Sequence, residues 1–506
     1  MTSRDTTLPQ VHTVAWAAAG ALVVALIGPW LFSKGIFWDG AIYATIARNM
    51  VAGLGDAWHP QVTSTFMRNF HEHPPLAFWL EACFFRVLGD HFWVERIYSL
   101  VMAAVTWSIL LATWRWLLRD VPSAAACCWL ALVLWAPWGT WCYRHNMLEN
   151  TMGVFTALSI YAALRATESA GRWAAWSVLA GAALTAAVLA KGPVGLFPAV
   201  TPMIAYCTLS RLNAKRVGLV QCGVWGACLV TFGLVLLSAA SREYLSAYWH
   251  DQVLSSLRGQ RERSGSPFGQ LNIMVCVMRE LRIPAAVACG LSLMTRRWKL
   301  PLANSPFSGP FWFCLVTALS ASAPLALSPK QGGHYTAPSW PYYSFAVALV
   351  CLPAVLDLLP RIAELRPLAR RGLLAAIVVA AAFPMFQCVE NYGRAMRDQG
   401  LVAAADQLGA ACSPGAIMEP SGSWHALETS DQLKLHVYLY RYYFVSLFID
   451  EPHPAFNLEC HRLARPEQGL VVSSRQVVTT DGVVGHLYIA DHEARLVTTP
   501  GSAARR

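Results

Sequence analysis

Seven windows of this 506-residue chain, 14–33, 121–141, 173–190, 192–210, 217–241, 300–329 and 372–389, contain no Asp, Glu, Lys or Arg. About 20 apolar residues in a helix suffice to cross a ~30 Å hydrocarbon core. Soluble domains carry about 25% charged residues; this chain carries 13% against 56% hydrophobic, and the deficit falls in blocks. The chain is therefore read as a mainly α, polytopic membrane protein. The pattern predicts a bundle of about eleven transmembrane helices, near 12–32, 94–114, 121–142, 147–166, 173–190, 192–210, 217–240, 272–295, 308–327, 334–357 and 372–390. The first has no small-x-small cleavage pattern and reads as an uncleaved anchor.

Lys and Arg supply the orientation. Arg115 and Arg119; Arg165 and Arg172; Arg211, Lys215 and Arg216; Arg296, Arg297 and Lys299; and Arg361, Arg366, Arg370 and Arg371 fall in one set of alternate loops. The short loops of the other set hold one basic residue each: Arg144, Lys191 and Lys330. The positive-inside rule puts the first set, and the N-terminus, in the cytoplasm, and eleven spans then leave the C-terminus outside. The net charge of +10 is largely this topology signal and needs no nucleic-acid partner.

Three segments interrupt the membrane pattern, all on the expected outer side: 33–93, 241–271 and the tail from about 391 to 506. The first holds the amphipathic stretch "WDGAIYATIARNMVAGLG" and the motif "FHEHPPL" at Phe70–Leu76. Proline fixes φ and donates no hydrogen bond, so Pro74 and Pro75 read as the stiff start of a helix, with Glu72 and His73 displayed ahead of it. Interfacial helices are expected near 40–53 and 75–88, with Trp38, Trp58, Trp79 and Trp93 at the interface plane. The tail shows a helix pattern from Asn391, then strand-like runs "HVYLYRYYFVSLFI", "GLVVSS" and "VVGHLYIAD", and reads as a small α/β domain. The domain division expected is 1–390 for the membrane part and 391–506 for the exported part. Most of the fourteen cysteines sit in apolar spans as small hydrophobes. Cys412 and Cys460 fall in the exported tail, where a disulfide is chemically allowed.

The candidate chemistry collects at the outer ends of the spans rather than at their centres: Asp39, Glu72, His73, Arg144, His145, Glu149, Lys191, Lys330 and His334. Acids, bases and cations grouped at one membrane surface suit a reaction on a charged lipid headgroup. Each has a plainer explanation. Asp39 could cap a helix and Glu149 could serve a helix dipole. Lys191 and Lys330 could snorkel, and Arg48 and Arg96 could be solvated or lipid-phosphate anchors.

In order along the chain, "DGAIYATIARNM", "EHPPLAFWL", the acid after the third span, "KGPVGLFPA" and "KQGGHYTAPSWPYYSFAVAL" resemble the polyprenyl-phosphate-dependent membrane glycosyltransferases. That group includes the lipid A aminoarabinose transferases and is related to the protein O-mannosyltransferases, with the GT-C architecture. The resemblance covers residues 12 to about 360 and implies sugar transfer from a polyprenyl-phosphate-linked donor to a lipid A, glycan or protein acceptor. Transfer would occur on the outer face of a bacterial inner membrane, with the tail periplasmic. Asp39 matches the acid that activates the acceptor, and Glu149 a second acid. His73 stands where a phosphate-neutralising Lys is usual. Lys191, Lys330 and Tyr335 match groups near the donor phosphate, with Arg144 expected beside them as a further cation, and Glu72, with His250 as an approximate match, falls where a divalent metal is held. The chain departs from the family at Gly40–Ile42, which lack the usual second acid and Arg, and at His73. The rival reading is a lipid or solute transporter, which would place ionisable groups near the bilayer midplane.

Overall fold

The computed structural model describes residues 4–63, 65–169, 171–260, 266–295, 305–418, 429–447, 468–471, 474–478, 484–488 and 495–498. Among them, seven helices are long and apolar enough to cross a membrane: Val11–Trp30, Val94–Leu117, Trp173–Lys191, Ala214–Val235, Ser308–Leu327, Trp340–Ile362 and Pro367–Glu390. The chain is thus a multi-pass, mainly helical membrane protein. The four other expected spans differ for physical reasons. The stretch 121–142 is two helices, Ser123–Trp135 and Pro137–Arg144, bent by 75°. Pro137 lacks an N–H, and Ala136 before it is extended at ψ 114°. Residues 192–210 open with a 3-10 helix, Pro193–Val200, after Gly192 breaks the preceding helix at φ 102°. Helix Leu148–Glu168 is regular but opens on the polar run Glu149-Asn150-Thr151. Helix Asn272–Thr295 carries Arg279, Glu280 and Arg282 well inside it, which corrects the expectation of charge-free span centres.

The chain forms two compact units that interleave in sequence. One comprises 1–29, 72–77 and 99–389; the other comprises 30–71, 78–98 and 390–506. In the first, helices Leu148–Glu168, Trp173–Lys191 and Ala214–Val235 pack side by side through small residues. A Cβ added at Gly181 would lie 2.5 Å from the Val224 carbonyl. Thr185 Oγ1 meets Thr231 Oγ1 at 2.6 Å, and Ser159 Oγ donates to Ala180 O at 2.9 Å. Close backbones joined by hydroxyl bridges are how helices associate where lipid removes the hydrophobic drive. A second core stacks Trp114 and Trp129 on Phe345 at 5.4 and 4.6 Å. At one end of this bundle Glu168 pairs with both Arg119 and Arg211, and Ser123 Oγ meets His12 Nδ1 at 3.2 Å. The loops after the second, fourth and sixth expected spans therefore gather at one end, as the basic-residue alternation requires.

The second unit joins the first outer segment to the tail. Helix Trp38–Val51 is buried from Gly40 through Asn49 and packs on helix Thr429–Tyr443. Protein rather than lipid surrounds it, because Gly40, Ala41, Ala44 and Ala47 admit a neighbouring helix on a face read from sequence as interfacial. Helix Leu76–Leu88 forms where the two prolines predict it. Arg441, with a side chain only 2% exposed, donates to Asp90 Oδ1 at 2.8 Å, Glu95 Oε2 at 2.7 Å and His91 O at 2.8 Å. Arg48 donates to the carbonyls of Tyr440 and Arg441 at 2.8 and 2.9 Å, closing the C-terminal end of their helix, and stacks 3.6 Å over Phe444. Arg96 donates to Ser33 O and Gly35 O at 3.1 and 2.8 Å. Neither Arg48 nor Arg96 is the solvated anchor that the sequence suggested; both are buried and tie backbone together.

The run "HVYLYRYYFVSLFI" is helical through Tyr443 rather than a strand. Leu435 through Arg441 are buried all round, so no period shows in the sequence to separate a buried helix from a strand. Among the described residues, the strands are Ile417–Met418 parallel with Ser446–Leu447, Gln468–Val471 antiparallel with Arg495–Thr498, and Ser474–Val478 antiparallel with Val484–Tyr488. Cys460 lies outside the described residues, so the Cys412–Cys460 pairing has no structural account.

Removing one partner of a buried ion pair strands the other charge and costs about 3–5 kcal/mol. Arg441→Met should therefore lower the thermal unfolding temperature of detergent-purified protein by several degrees, and Arg441→Met with Glu95→Gln should recover part of the loss. An unchanged melting curve in Arg441→Met would show that the pair does not hold this unit.

Candidate active site

The first unit brings three of the expected residues together. Glu149 lies in the first turn of Leu148–Glu168, and Lys191 in the last turn of the neighbouring helix Trp173–Lys191. Adjacent antiparallel helices put the start of one beside the end of the other. Lys191 Nζ stands 2.5 Å from Glu149 Oε1, with side chains 9% and 0% exposed. Beyond that pair, neither Glu149 oxygen has a hydrogen-bond partner among the described residues. Lys191 Nζ also lies 5.0 Å from the centre of the Tyr335 ring, in cation–π range. A crevice lined by Tyr143, Asn150, Thr156, Pro338 and Tyr342 opens beside Glu149.

The loop carrying Tyr335 is held from several sides. His334 packs among Trp138, Trp141 and Tyr335, with ring centres 6.2, 5.5 and 4.4 Å away. A side chain at Gly333 would run into the Trp138 ring, so the loop lies flush on it. Gln331 donates to Gln270 O at 2.8 Å and accepts from Ile273 N at 2.9 Å. Trp138 in turn donates its backbone N–H to Glu280 Oε2 at 3.2 Å, so a buried carboxylate serves the orphan amides at the start of the bent half-helix Pro137–Arg144. His334 stands ahead of the span Trp340–Ile362. Its pKa is pushed down to about 4, first by burial, with Lys191 and Lys330 adding to the fall and Glu149 opposing it.

The other expected residues are placed differently. Glu72 and His73 lie in this same unit, and His73 O accepts a 2.5 Å hydrogen bond from the Tyr244 hydroxyl. Arg144 Nε donates to Leu26 O at 2.7 Å, so this guanidinium serves the first helix's backbone. His250 is exposed on a π-helical turn, Trp249–Leu254. Asp39 belongs to the second unit, in the first turn of Trp38–Val51. It does not cap that helix; Phe37 holds the cap position. Among the described residues, no three His, Cys, Asp or Glu side chains converge as metal ligands, and no step is derived through a metal. Sequence reading missed Tyr244, Tyr248, Gln331 and Glu280. The acid between two arginines in an otherwise apolar helix was the visible signal for the last.

Residues 72–241 match the family model described as dolichyl-phosphate-mannose-protein mannosyltransferase. That segment includes Glu72, His73, Arg144, Glu149 and Lys191. The fold matches the crystal structure of ArnT from Cupriavidus metallidurans in the apo state at 18% identity, with 84% of each chain covered and a TM-score of 0.57. It also matches the same ArnT bound to undecaprenyl phosphate at 16% identity, covering 94% of this chain and 98% of that one, with a TM-score of 0.59. No curated protein matches by sequence. The fold is thus that of the ArnT structures, and the matched segment is similar to the dolichyl-phosphate-mannose-protein mannosyltransferases.

A histidine held neutral by burial stabilises the fold above its unfolded pKa near 6.5, and that contribution is lost as pH falls through that value toward about 4. Thermal unfolding between pH 7.5 and 4.5 should show stability falling below about pH 6.5, with His334→Phe flattening the decline. Equal slopes in the two proteins would show that His334 is not the group responsible.

Proposed function

We propose that this protein transfers a glycosyl group from a polyprenyl monophosphate carrier to a lipid, glycan or protein acceptor at the outer face of the bacterial inner membrane. The observation that carries the reading is the buried cluster Glu149–Lys191–Tyr335, built inside and beside the segment that matches the mannosyltransferase family. That ArnT of similar fold binds undecaprenyl phosphate supports the choice of donor.

In the proposed reaction the acceptor hydroxyl oxygen attacks the anomeric carbon, the bond from that carbon to the phosphate oxygen breaks, and the hydroxyl proton passes to Asp39. Attack opposite the phosphate inverts the anomeric centre. The leaving group is polyprenyl phosphate, whose growing negative charge is met by Lys191 and Tyr335, with His73, Lys330 and Arg144 as further donors. Such pre-set donors supply the electrostatic part of barrier lowering. Glu149 holds the Lys191 ammonium in place until the phosphate arrives. A divalent metal at Glu72 remains a proposal that chelation tests. The proposed topology is eleven crossings, with Leu148–Glu168 and Asn272–Thr295 among them, a cytoplasmic N-terminus and a periplasmic α/β region from 391 to 506.

Two measurements bear on these roles. Asp39→Asn keeps size and hydrogen bonding but removes basicity, so transfer should fall by ~10² or more at unchanged protein level. Near-normal transfer in Asp39→Asn would move the base to Glu149. A pH profile tests His73. If it neutralises phosphate as a cation, activity should decline as pH rises between roughly 6 and 8, and His73→Lys should extend the active range upward. Chelator-sensitive activity that instead falls at low pH would assign His73 and Glu72 to a metal.

A further inference from the structure

Helix Ala239–Tyr248 in the second outer segment presents two tyrosines four residues apart, hence on one face, and both are nearly buried at 6% and 8% exposure. Each hydroxyl meets a different motif. Tyr244 OH donates to His73 O at 2.5 Å. Pro74 and Pro75 have no N–H to donate, and the His73 carbonyl just ahead of them takes a hydrogen bond from this helix. Tyr248 OH lies against Gly192, directly after Lys191, where an added Cβ would run into it. Gly192 has φ 102° and ψ −163°, a conformation that favours glycine on its own account.

The helix bearing the tyrosines is itself anchored. Ser241 Oγ donates to Val235 O and Ser238 O at 2.5 and 2.8 Å, and Arg242 donates to the carbonyls of Leu236 and Leu237 at 2.8 and 3.0 Å. Beyond its end, a π-helical turn leads to Ser256, whose hydroxyl meets Ser328 Oγ at 3.1 Å, in the loop that carries Lys330. One short strut therefore touches the segments of His73, Lys191 and Lys330.

We propose that Tyr244 and Tyr248 are positioning residues that set His73 and Lys191 at the spacing of one lipid-linked phosphate. The proposal rests on the donor reading above and deepens it: the spacing is fixed by two phenols on a third segment, not by the His73 and Lys191 segments alone. Burial, with the neighbouring Tyr248 and the charge of Glu72, pushes the Tyr244 phenol well above its ordinary pKa, which keeps its hydrogen available to the His73 carbonyl at all working pH.

The test is titration of the full-length detergent-purified protein with undecaprenyl phosphate alone. Tyr244→Phe should weaken binding by about five-fold, the loss of one net hydrogen bond, and Tyr248→Phe, which removes the hydroxyl lying against Gly192, should weaken it as well. The double variant should lose less than the product of the two, because both phenols act through one strut. Thermal unfolding of both Phe variants should stay close to wild type. Ser241→Ala, which loosens the strut's anchor, should lower melting and binding together, in contrast to the Phe variants, which should lower binding alone. Wild-type binding with unchanged affinity in both Phe variants would overturn this inference and leave the donor reading standing. Failure of wild type to bind undecaprenyl phosphate would overturn the donor reading and this inference together.

Discussion

The ion pair between Glu149 and Lys191 is the constraint on which the candidate site depends. Neither charge reaches much solvent, so each would be costly alone, and removing one would strand the other. The helices favour the pair from both sides: Glu149 occupies the positive end of its helix and Lys191 the negative end of the next. Gly192 then turns the chain away at once, so the ammonium group ends the helix instead of continuing along it. Tyr335 covers Lys191 with a ring face, and the Trp138–Gly333 contact keeps the Tyr335 loop down. The result is an ammonium group paired with a carboxylate in a poorly solvated place.

The second unit solves a different problem with the same chemistry. Two arginines, Arg48 and Arg441, are buried next to one another, and each has its charge shared out: Arg441 to Asp90 and Glu95, Arg48 to helix-end carbonyls and the Phe444 ring. Planar guanidinium groups can stack and fork in ways a lysine cannot. Through them the segment after the first span and the segment after residue 390 form one body, although about 300 residues separate them in sequence.

Much of this was legible in advance. The charge-free blocks disclosed the membrane helices, and the alternation of Arg and Lys foretold which loops share an end, as Glu168 with Arg119 and Arg211 bears out. Pro74 and Pro75 located the helix at Leu76; Glu149 and Lys191 were read from their place at span ends, and Tyr335 from the family resemblance. What stayed hidden depended on three-dimensional partners. Nothing local marked residues 436–443 as helix, since a segment buried on every side carries no amphipathic period. The single span expected over 121–142 concealed a bend, although Pro137 was there to read. Tyr244 and Tyr248 looked like ordinary polar-loop aromatics, because the His73 carbonyl and Gly192 that they meet lie far away in sequence.

The most direct test of the account is an experimental structure of the protein with undecaprenyl phosphate bound in a lipid nanodisc. The account predicts the phosphate within hydrogen-bond distance of Lys191 Nζ, with Tyr335 beside it and Glu149 displaced from or sharing the ammonium. A phosphate bound elsewhere, with the Glu149–Lys191 pair closed and Tyr335 still covering it, would contradict it.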